Sequence, residues 1–401
     1  MSPSALAPPL HSAGAQARVS AAEALEVADR IQAYWFGADD TSYDPYDGLL
    51  AERVPPALTA TRPGRLALVH LHRRFPRNLR PRFGVPPTKS PYAVALFASA
   101  GVRIADATGS GAAEDAVRTR LGWLHATSVR GGWAYPFDVQ TRTFHYRSTT
   151  PNVVCTAFAA RAFLDVAERT GDEQALAVAG SAARFVRREL LTHGQGRCWF
   201  RYLPSEDELI HNGNVLAAEL VVRYGSLAGE DRMVALGLDA LEPTLEAVRP
   251  DGSLLYGREP HLAWTDGHHT GFVIESLHSI ARCDPDVAAA LGGTVQRMSR
   301  FYRTRLFGPD GWAYQRPDTP YPLDSIAAAQ GIQTFAKLGG SDRDMAERIA
   351  GSVLARMSLA SGRFAYVRGR RHVKRVPYVR WTEAPLCLAF AVLATEAAST
   401  P

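Results

Sequence analysis

Seven consecutive residues, Trp264-Thr-Asp-Gly-His-His-Thr270, bring an indole, a carboxylate, two imidazoles and a hydroxyl together. An imidazole beside a carboxylate is a proton-transfer pair, with the carboxylate holding the ring in place. Here His268 or His269 is the candidate base and Asp266 the group that orients it. His211 and Glu383 join them as candidates of the reacting set. Hydrolysis of a glycoside needs two carboxylates flanking the scissile oxygen, and Asp266 with Glu383 or Asp138 would supply them. Asp266, His268, His269 and His211 also have metal-binding side chains. Adjacent histidines rarely ligate one ion together, so neither a metal nor a cofactor is expected.

The stretch follows a turn, Gly252-Ser-Leu-Leu-Tyr256, and enters an apolar segment, Gly271 to Ala281. That is a polar helix N-terminus leading into a buried helix. The pattern recurs. Gly132-Trp-Ala-Tyr135, Gly196 with Cys198-Trp-Phe-Arg-Tyr202, Gly311-Trp-Ala-Tyr314 and Gly362-Arg-Phe-Ala-Tyr366 repeat the glycine/aromatic turn, roughly fifty to seventy residues apart, just above the range of solenoid repeats. Apolar helices are predicted to begin near Pro91, Asn152, Asn214, His269, Asp324 and Glu383, and amphipathic ones such as Glu173 to Leu191 alternate with them. An amphipathic helix with an N-cap serine spans residues 20–36. Six helical hairpins closed into a ring give an all-α (α/α)6 barrel over residues 19–398, with an open solenoid as the alternative. The apolar segments lack strand alternation, which argues against a β fold.

In such a ring the inner helices run the same way, so their N-terminal loops surround one mouth. Lys89, Ser90 and Tyr92 stand at the first loop, and Asp138, His145, Tyr146, Thr150 and Asn152 at the second. His211, Asn212 and Asn214 stand at the third, the Trp264–Thr270 stretch at the fourth, and Tyr321 and Asp324 at the fifth. Arg380, Trp381 and Glu383 stand at the last. Helix capping by itself accounts for Thr150, Asp324 and Asn214. It does not account for His211-Asn212, for paired histidines after Asp266, or for Trp381 beside Glu383. Deeper positions read as mostly aliphatic.

Pyranose rings stack their C–H faces on Trp and Tyr and offer hydroxyls to carboxylates and amides. A mouth lined by Trp133, Tyr135, Tyr256, Trp264, Trp312 and Trp381 together with Asp, Asn and His suits a carbohydrate. Trp312 and Phe364 read instead as wedges between hairpins. The turn Tyr43-Asp-Pro-Tyr-Asp-Gly-Leu49 reads as a clip for the N-terminal helix, with ligand holding as the alternative.

Tyr-Asp-Pro-Tyr-Asp-Gly-Leu (43–49), Gly-Gly-Trp-Ala-Tyr-Pro-Phe-Asp (131–138), Thr-Pro-Asn-Val-Val-Cys-Thr (150–156), Ile-His-Asn-Gly-Asn (210–214) and Trp-Thr-Asp-Gly-His-His-Thr-Gly (264–271) together resemble bacterial exopolysaccharide-biosynthesis proteins of (α/α)6 form. These look related to the helical catalytic domain of D-glucuronyl C5-epimerases. Counterparts of that domain's Gly-Gly-Trp turn, of an asparagine near its third inner helix and of its Trp-Asp-His-Thr cluster fall at Gly131–Trp133, Asn212 and Trp264–Thr270, the last with different internal spacing. The resemblance implies uronosyl epimerisation through removal of the proton alpha to a carboxylate. Such chemistry needs a neutralised carboxylate, a base, and an acid on the opposite face. Arg380 is the candidate for the carboxylate. His211, Tyr146 or Tyr256 would act from across the mouth.

Composition narrows the rest. A net charge of +5 over 401 residues is too dilute to imply nucleic acid. No run of about eighteen apolar residues exists to span a membrane. Residues 1–18, rich in Ser, Ala and Pro early on, read as a disordered leader and not a signal peptide, so the expected location is the cytoplasm. Cys155, Cys198, Cys283 and Cys387 have no metal or CxxC spacing and are expected to be free thiols, which sets aside zinc-dependent lanthionine cyclase-like toroids. A terpenoid cyclase-like toroid would want an acidic aspartate cluster inside the ring, and Asp39-Asp40 lies in the N-terminal part. A non-catalytic glycan-binding scaffold would keep the aromatics but has no use for a carboxylate-poised histidine. The basic run Arg368 to Arg375 reads as a solvated loop, or as a steering patch for an acidic glycan.

Overall fold

A computed structural model of the chain describes residues 18–142 and 144–396. The expected leader, apart from Arg18, lies outside the described residues. Ser20 opens the first helix with a reciprocal capping box. Its hydroxyl accepts from the Glu23 N–H at 3.3 Å while the Glu23 carboxylate accepts from the Ser20 N–H at 2.9 Å. That helix, α1, spans Ala21–Gly37, and three short helices follow: α2 (Pro56–Ala60), α3 (Arg62–Arg74) and α4 (Arg80–Phe83). Then come α5 (Pro91–Thr108), α6 (Gly111–Thr127), α7 (Val153–Thr170), α8 (Glu173–Phe185), α9 (His211–Ala228) and α10 (Asp231–Ala247). The last five are α11 (Gly267–Ala281), α12 (Pro285–Arg305), α13 (Ser325–Leu338), α14 (Arg343–Met357) and α15 (Ala384–Thr395).

Burial separates these helices into two classes. Every residue of α9 from His211 to Gly225 is buried, whereas α12 buries only Leu291, Met298, Phe301 and Tyr302. A helix apolar on all sides needs neighbours on all sides, and an amphipathic one needs only one. Accordingly α5, α7, α9, α11, α13 and α15 each pack on the next, and α15 returns to α5. Outside them lie α6, α8, α10, α12 and α14, and α1 packs on α15 as the sixth outer helix. The ring is closed: an (α/α)6 barrel, not an open solenoid. The chain's first outer helix completes its last hairpin.

Two sequence expectations are corrected at this level. Thr150 caps nothing, because Asn152 is the cap of α7, its Oδ1 accepting from the Cys155 N–H at 3.0 Å. Asn214 is inside the first turn of α9, which begins three residues earlier. Helices α2 to α4 belong to no hairpin. They form a separate segment at the mouth, where Arg65 reaches Gln140 at 2.8 Å and Arg80 reaches Asp47 at 2.6 Å.

The interior is not aliphatic throughout. About 12 Å along the inner helices from their N-termini, Arg161 of α7 donates to Glu219 of α9 at 2.5 Å and to Glu275 of α11 at 3.0 Å. Lys337 and Gln330 of α13 also reach Glu275, at 2.5 and 2.6 Å. Arg223 and Ser99 meet on Asp165, at 2.9 and 2.6 Å. Single charges set in apolar helices are excluded from the outer surface by the packing, so they turn to the axis and pair there.

The glycine/aromatic turns join each outer helix to the next inner one. Gly252 and Gly311 have φ of 85° and 72°, in the left-handed region, and each lies against the backbone of a following outer helix. A Cβ on Gly252 would sit 2.2 Å from the carbonyl oxygen of Arg297 in α12. Gly252→Ala is therefore expected to lower stability by more than ~1 kcal/mol, from backbone strain and collision together. Urea unfolding curves of the two proteins would show it.

Other segments are short. Antiparallel strands Val373–Lys374, Val367–Arg368, Thr319–Asp324 and Tyr314–Arg316 form a sheet in that order. The basic run thus forms a hairpin, neither solvated loop nor free patch throughout. Lys374 is buried and donates to the carbonyls of His72 and Phe75, holding the end of α3. All four cysteines are free. No helix among the described residues is long and apolar enough to cross a membrane.

Candidate active site

The mouth is built first by a helix cap. Asp266 precedes α11 in an extended conformation, and its Oδ1 accepts from the His269 N–H at 3.0 Å. The same geometry carries the His269 side chain back over the cap, where Nδ1 meets Asp266 Oδ2 at 2.7 Å. With the carboxylate as acceptor, Nδ1 is the donating nitrogen and Nε2 is the ring nitrogen left outside this bond. The Trp264 indole N–H approaches the same Oδ2 at 3.3 Å, and His268 Nδ1 approaches Oδ1 at 3.4 Å. Burial opposes ionisation of Asp266, but His269, by charge and by side-chain and backbone hydrogen bonds, holds its carboxyl well below the usual range. Burial, with repulsion from His269, pushes the His268 imidazole down to about 3. At neutral pH His268 is therefore uncharged.

The ligand atoms of Asp266, His268 and His269 lie within 4.8 Å of one another, close enough to share a cation. The 2.7 Å contact is nonetheless the geometry of a hydrogen bond, and a proton on Nδ1 removes that atom from coordination. The trio is best described as an oriented imidazole.

Aromatic rings complete this side. Tyr256 stacks on Trp264 at 4.5 Å and lies 4.6 Å from the His269 ring, while Trp381 meets His268 edge-on at 5.9 Å. Asn212 borders the same crevice as Asp266 and His269, and its buried Oδ1 has no hydrogen-bond partner among the described residues. The buried indole N–H of Trp381 is in the same position. Elsewhere at the mouth Tyr135, Tyr146 and Tyr202 gather near Arg380, and burial raises all three phenols, so they stay protonated at neutral pH. Burial also lifts the Asp324 carboxyl to about 6.

Several expected site residues belong to the wall instead. Trp133 is fully buried, donates its indole N–H to the Leu124 carbonyl at 2.8 Å and packs on Phe163, so it is a wedge. Asn152 caps α7 through Oδ1, while its buried Nδ2 has no hydrogen-bond partner among the described residues. Asn214 accepts from the Phe200 N–H at 2.8 Å and donates to the Ala240 carbonyl at 2.7 Å, tying α9 to its neighbours. Glu383 is 1% exposed, its carboxylate accepts from the Phe364 N–H at 2.9 Å, and burial lifts it to about 7. Asp138 closes its own turn through Arg147 and Ser148, both at 2.9 Å. His211 borders the crevice, but its Nδ1 is 3.1 Å from Thr244 Oγ1, and burial together with Arg258 pushes it down to about 4.

Arg380 is also committed. Its Nε and Nη2 bind Asp44 at 2.5 and 2.8 Å, under the rings of Tyr135 and Trp381. Both carboxylates of the turn Tyr43–Leu49 are thus tied to other parts of the chain, since Asp47 likewise closes on Arg80 with both side chains fully buried. Tyr46 of the same turn nevertheless faces the mouth, 5.7 Å from Trp381. Asp39-Asp40 offers no acid inside the ring, because Asp40 is buried in a two-point pair with Arg120 at 2.7 and 2.8 Å.

Sequence reasoning missed Arg73, Tyr202 and Tyr366 as mouth residues, and offered Asp44 and Tyr46 only through the ligand-holding alternative for their turn. Tyr202 and Tyr366 each end one of the repeated turns, as Tyr135 and Tyr256 do, and that equivalence was the available signal. Arg73 sits in an arginine-rich helix outside the repeat and carried none. From Trp264 a groove of about 720 Å³ leads outward past Arg62, Arg142, Arg316 and Glu208.

Neither a family model nor a curated protein matches this sequence. Solved structures do resemble it in fold. A possible GH105-family member from Salmonella enterica serovar Paratyphi A superposes with a TM-score of 0.61 at 10% identity, over 97% of this chain and 96% of that chain. Cellobiose 2-epimerase from Bacillus thermoamylovorans gives 0.57 at 12% identity, over 76% and 87%. The unsaturated glucuronyl hydrolase of Bacillus sp. GL1, responsible for degradation of glycosaminoglycan, gives 0.53 at 14% identity, over 75% and 85%. At such identities the likeness is one of fold.

Proposed function

We propose that this protein is a carbohydrate epimerase that moves a proton on a sugar ring at the barrel mouth, with His269 as base. The observation that carries the reading is the use of Asp266. Both its oxygens are occupied by His269, His268 and Trp264. A carboxylate so engaged is neither a nucleophile nor a free general base. What it does is fix the tautomer of His269 and leave Nε2 to take a proton. Glu383 and Asp138, the partners that hydrolysis would need, are engaged in the wall and in a turn. The phenols of Tyr135, Tyr146 and Tyr202 supply protons from another side of the mouth, as epimerisation requires.

The finer reading is a uronosyl C5-epimerase of exopolysaccharide or glycoconjugate biosynthesis. A carboxylate at C6 acidifies the C5 proton, which brings abstraction within reach of an imidazole. Two fold neighbours support the class: one is a cellobiose 2-epimerase, another an unsaturated glucuronyl hydrolase. The groove beside Trp264 favours an oligosaccharide over a single sugar.

Incubation with uronic-acid oligosaccharides in D2O, followed by proton NMR, is expected to show loss of the C5–H signal as deuterium enters. Release of reducing ends without exchange would overturn the epimerase and favour hydrolysis.

A further inference from the structure

An enzyme that removes a proton alpha to a carboxylate must hold that carboxylate. Arg380, the residue of the right type at an inner-helix loop, cannot do so while Asp44 occupies its Nε and Nη2. Arg80 is closed in the same way by Asp47. A third arginine reaches the mouth from above. Arg73 is in the last turn of α3, outside the barrel's hairpins, and donates to the Tyr46 hydroxyl at 3.0 Å with its guanidinium 5.2 Å from that ring. Tyr46 lies 5.7 Å from Trp381, and Trp381 lies 5.9 Å from His268. Tyr366 and Asp324 are also near the guanidinium, but Arg73 enters no ion pair among the described residues.

We propose that Arg73, with the phenol of Tyr46, is the anion seat of the mouth, and that it takes the carboxylate of a hexuronic acid unit. This rests on the mouth being the sugar site. The partly buried Arg73 guanidinium is held by the phenols of Tyr46 and Tyr366, with Asp324 near by, but it enters no close ion pair among the described residues. A carboxylate can accept two parallel N–H bonds from it and supply that pair. The seat is rigid, because α3 and α4 are fastened on both sides. Lys374 holds the carbonyls of His72 and Phe75, and Arg80 is locked to Asp47. A neutral sugar leaves the same guanidinium unpaired, so the seat selects charge as well as position.

The test is the ratio of two affinities, for a uronic-acid oligosaccharide and for its carboxyl-reduced counterpart, by titration calorimetry. The wild-type protein is expected to prefer the acidic form, and Arg73→Ala to lower that preference by about ten- to a hundred-fold. Arg73→Lys is expected to retain part of it, and unfolding curves of both variants check that the fold is kept. A preference undiminished in a folded Arg73→Ala overturns the assignment. Equal wild-type affinity for the two glycans also overturns it, while leaving the sugar site standing. Binding of neither glycan removes the sugar site itself, and with it this inference.

Discussion

Replacing His269 by alanine is expected to lower deuterium incorporation into a uronic-acid oligosaccharide by about two to four orders of magnitude. Substrate affinity should change little, since the ring's job is to take a proton and several neighbouring rings remain to bind. Asp266→Asn is the sharper variant. Asparagine can still accept from the His269 N–H and keep α11 capped, but its amide nitrogen then faces Nδ1, where the carboxylate faced it before. A donor opposite Nδ1 drives the proton to Nε2, which is the wrong tautomer for a base. The expected result is a comparable loss of exchange in a protein that unfolds at nearly the same urea concentration. Exchange within threefold of wild type in folded His269→Ala would move the base to His268 or to a phenol.

Glu275→Ala is expected to destabilise the barrel by roughly 3–5 kcal/mol, the usual cost of removing one partner from a buried charge cluster. Glu275 accepts from Arg161, Lys337 and Gln330, and its loss leaves the half-buried Lys337 without its carboxylate and the buried Arg161 with Glu219 alone to offset it. Burial disfavours its charge, but Lys337 and Arg161 outweigh that and hold the carboxyl down, from an ordinary 4.5 to about 2. A lowered value in the folded state means that the ionised form is bound more tightly there than in the unfolded chain. Its contribution is therefore complete above pH 4.5 and fades as pH falls toward 2. Urea midpoints should differ widely between wild type and variant at pH 6, draw closer by pH 3 and converge only near pH 2. A constant gap across that range would mean that Glu275 acts through packing alone.

The two residues mark different depths of sequence information. Asp266 and His269 are three apart at a helix start, and a cap at that spacing puts both side chains on one turn. Their contact was legible because local geometry alone produces it. Glu275 was legible only as an oddity in an apolar helix. Its partners lie 55 to 114 residues away, and nothing local selects them.

The barrel itself was legible for a related reason. Helices apolar all round, alternating with amphipathic ones and separated by glycine/aromatic turns, leave few ways to hide their surface. What stayed hidden was the function of individual polar residues at the mouth. Asn214, Glu383 and Trp133 are side-chain types that bind sugars, but each meets a backbone partner first. A buried polar atom takes the nearest donor or acceptor, and the sequence does not say which is nearest.

By itself, then, the sequence determined the closed ring of helical hairpins and the Asp266–His269 pair. Hydrophobic periodicity and helix capping act within a few residues, and those ranges are written in the chain. Only the tertiary structure decided that Arg380 is taken by Asp44 and that Arg73 meets phenols at the mouth without an ion pair among the described residues. Asp44 and Arg380 stand at opposite ends of the chain and meet because α1 packs on α15 and closes the ring. Which of two arginines keeps its charge for a ligand depends on that closure, because a guanidinium paired at close range in a buried site has little left to offer another anion.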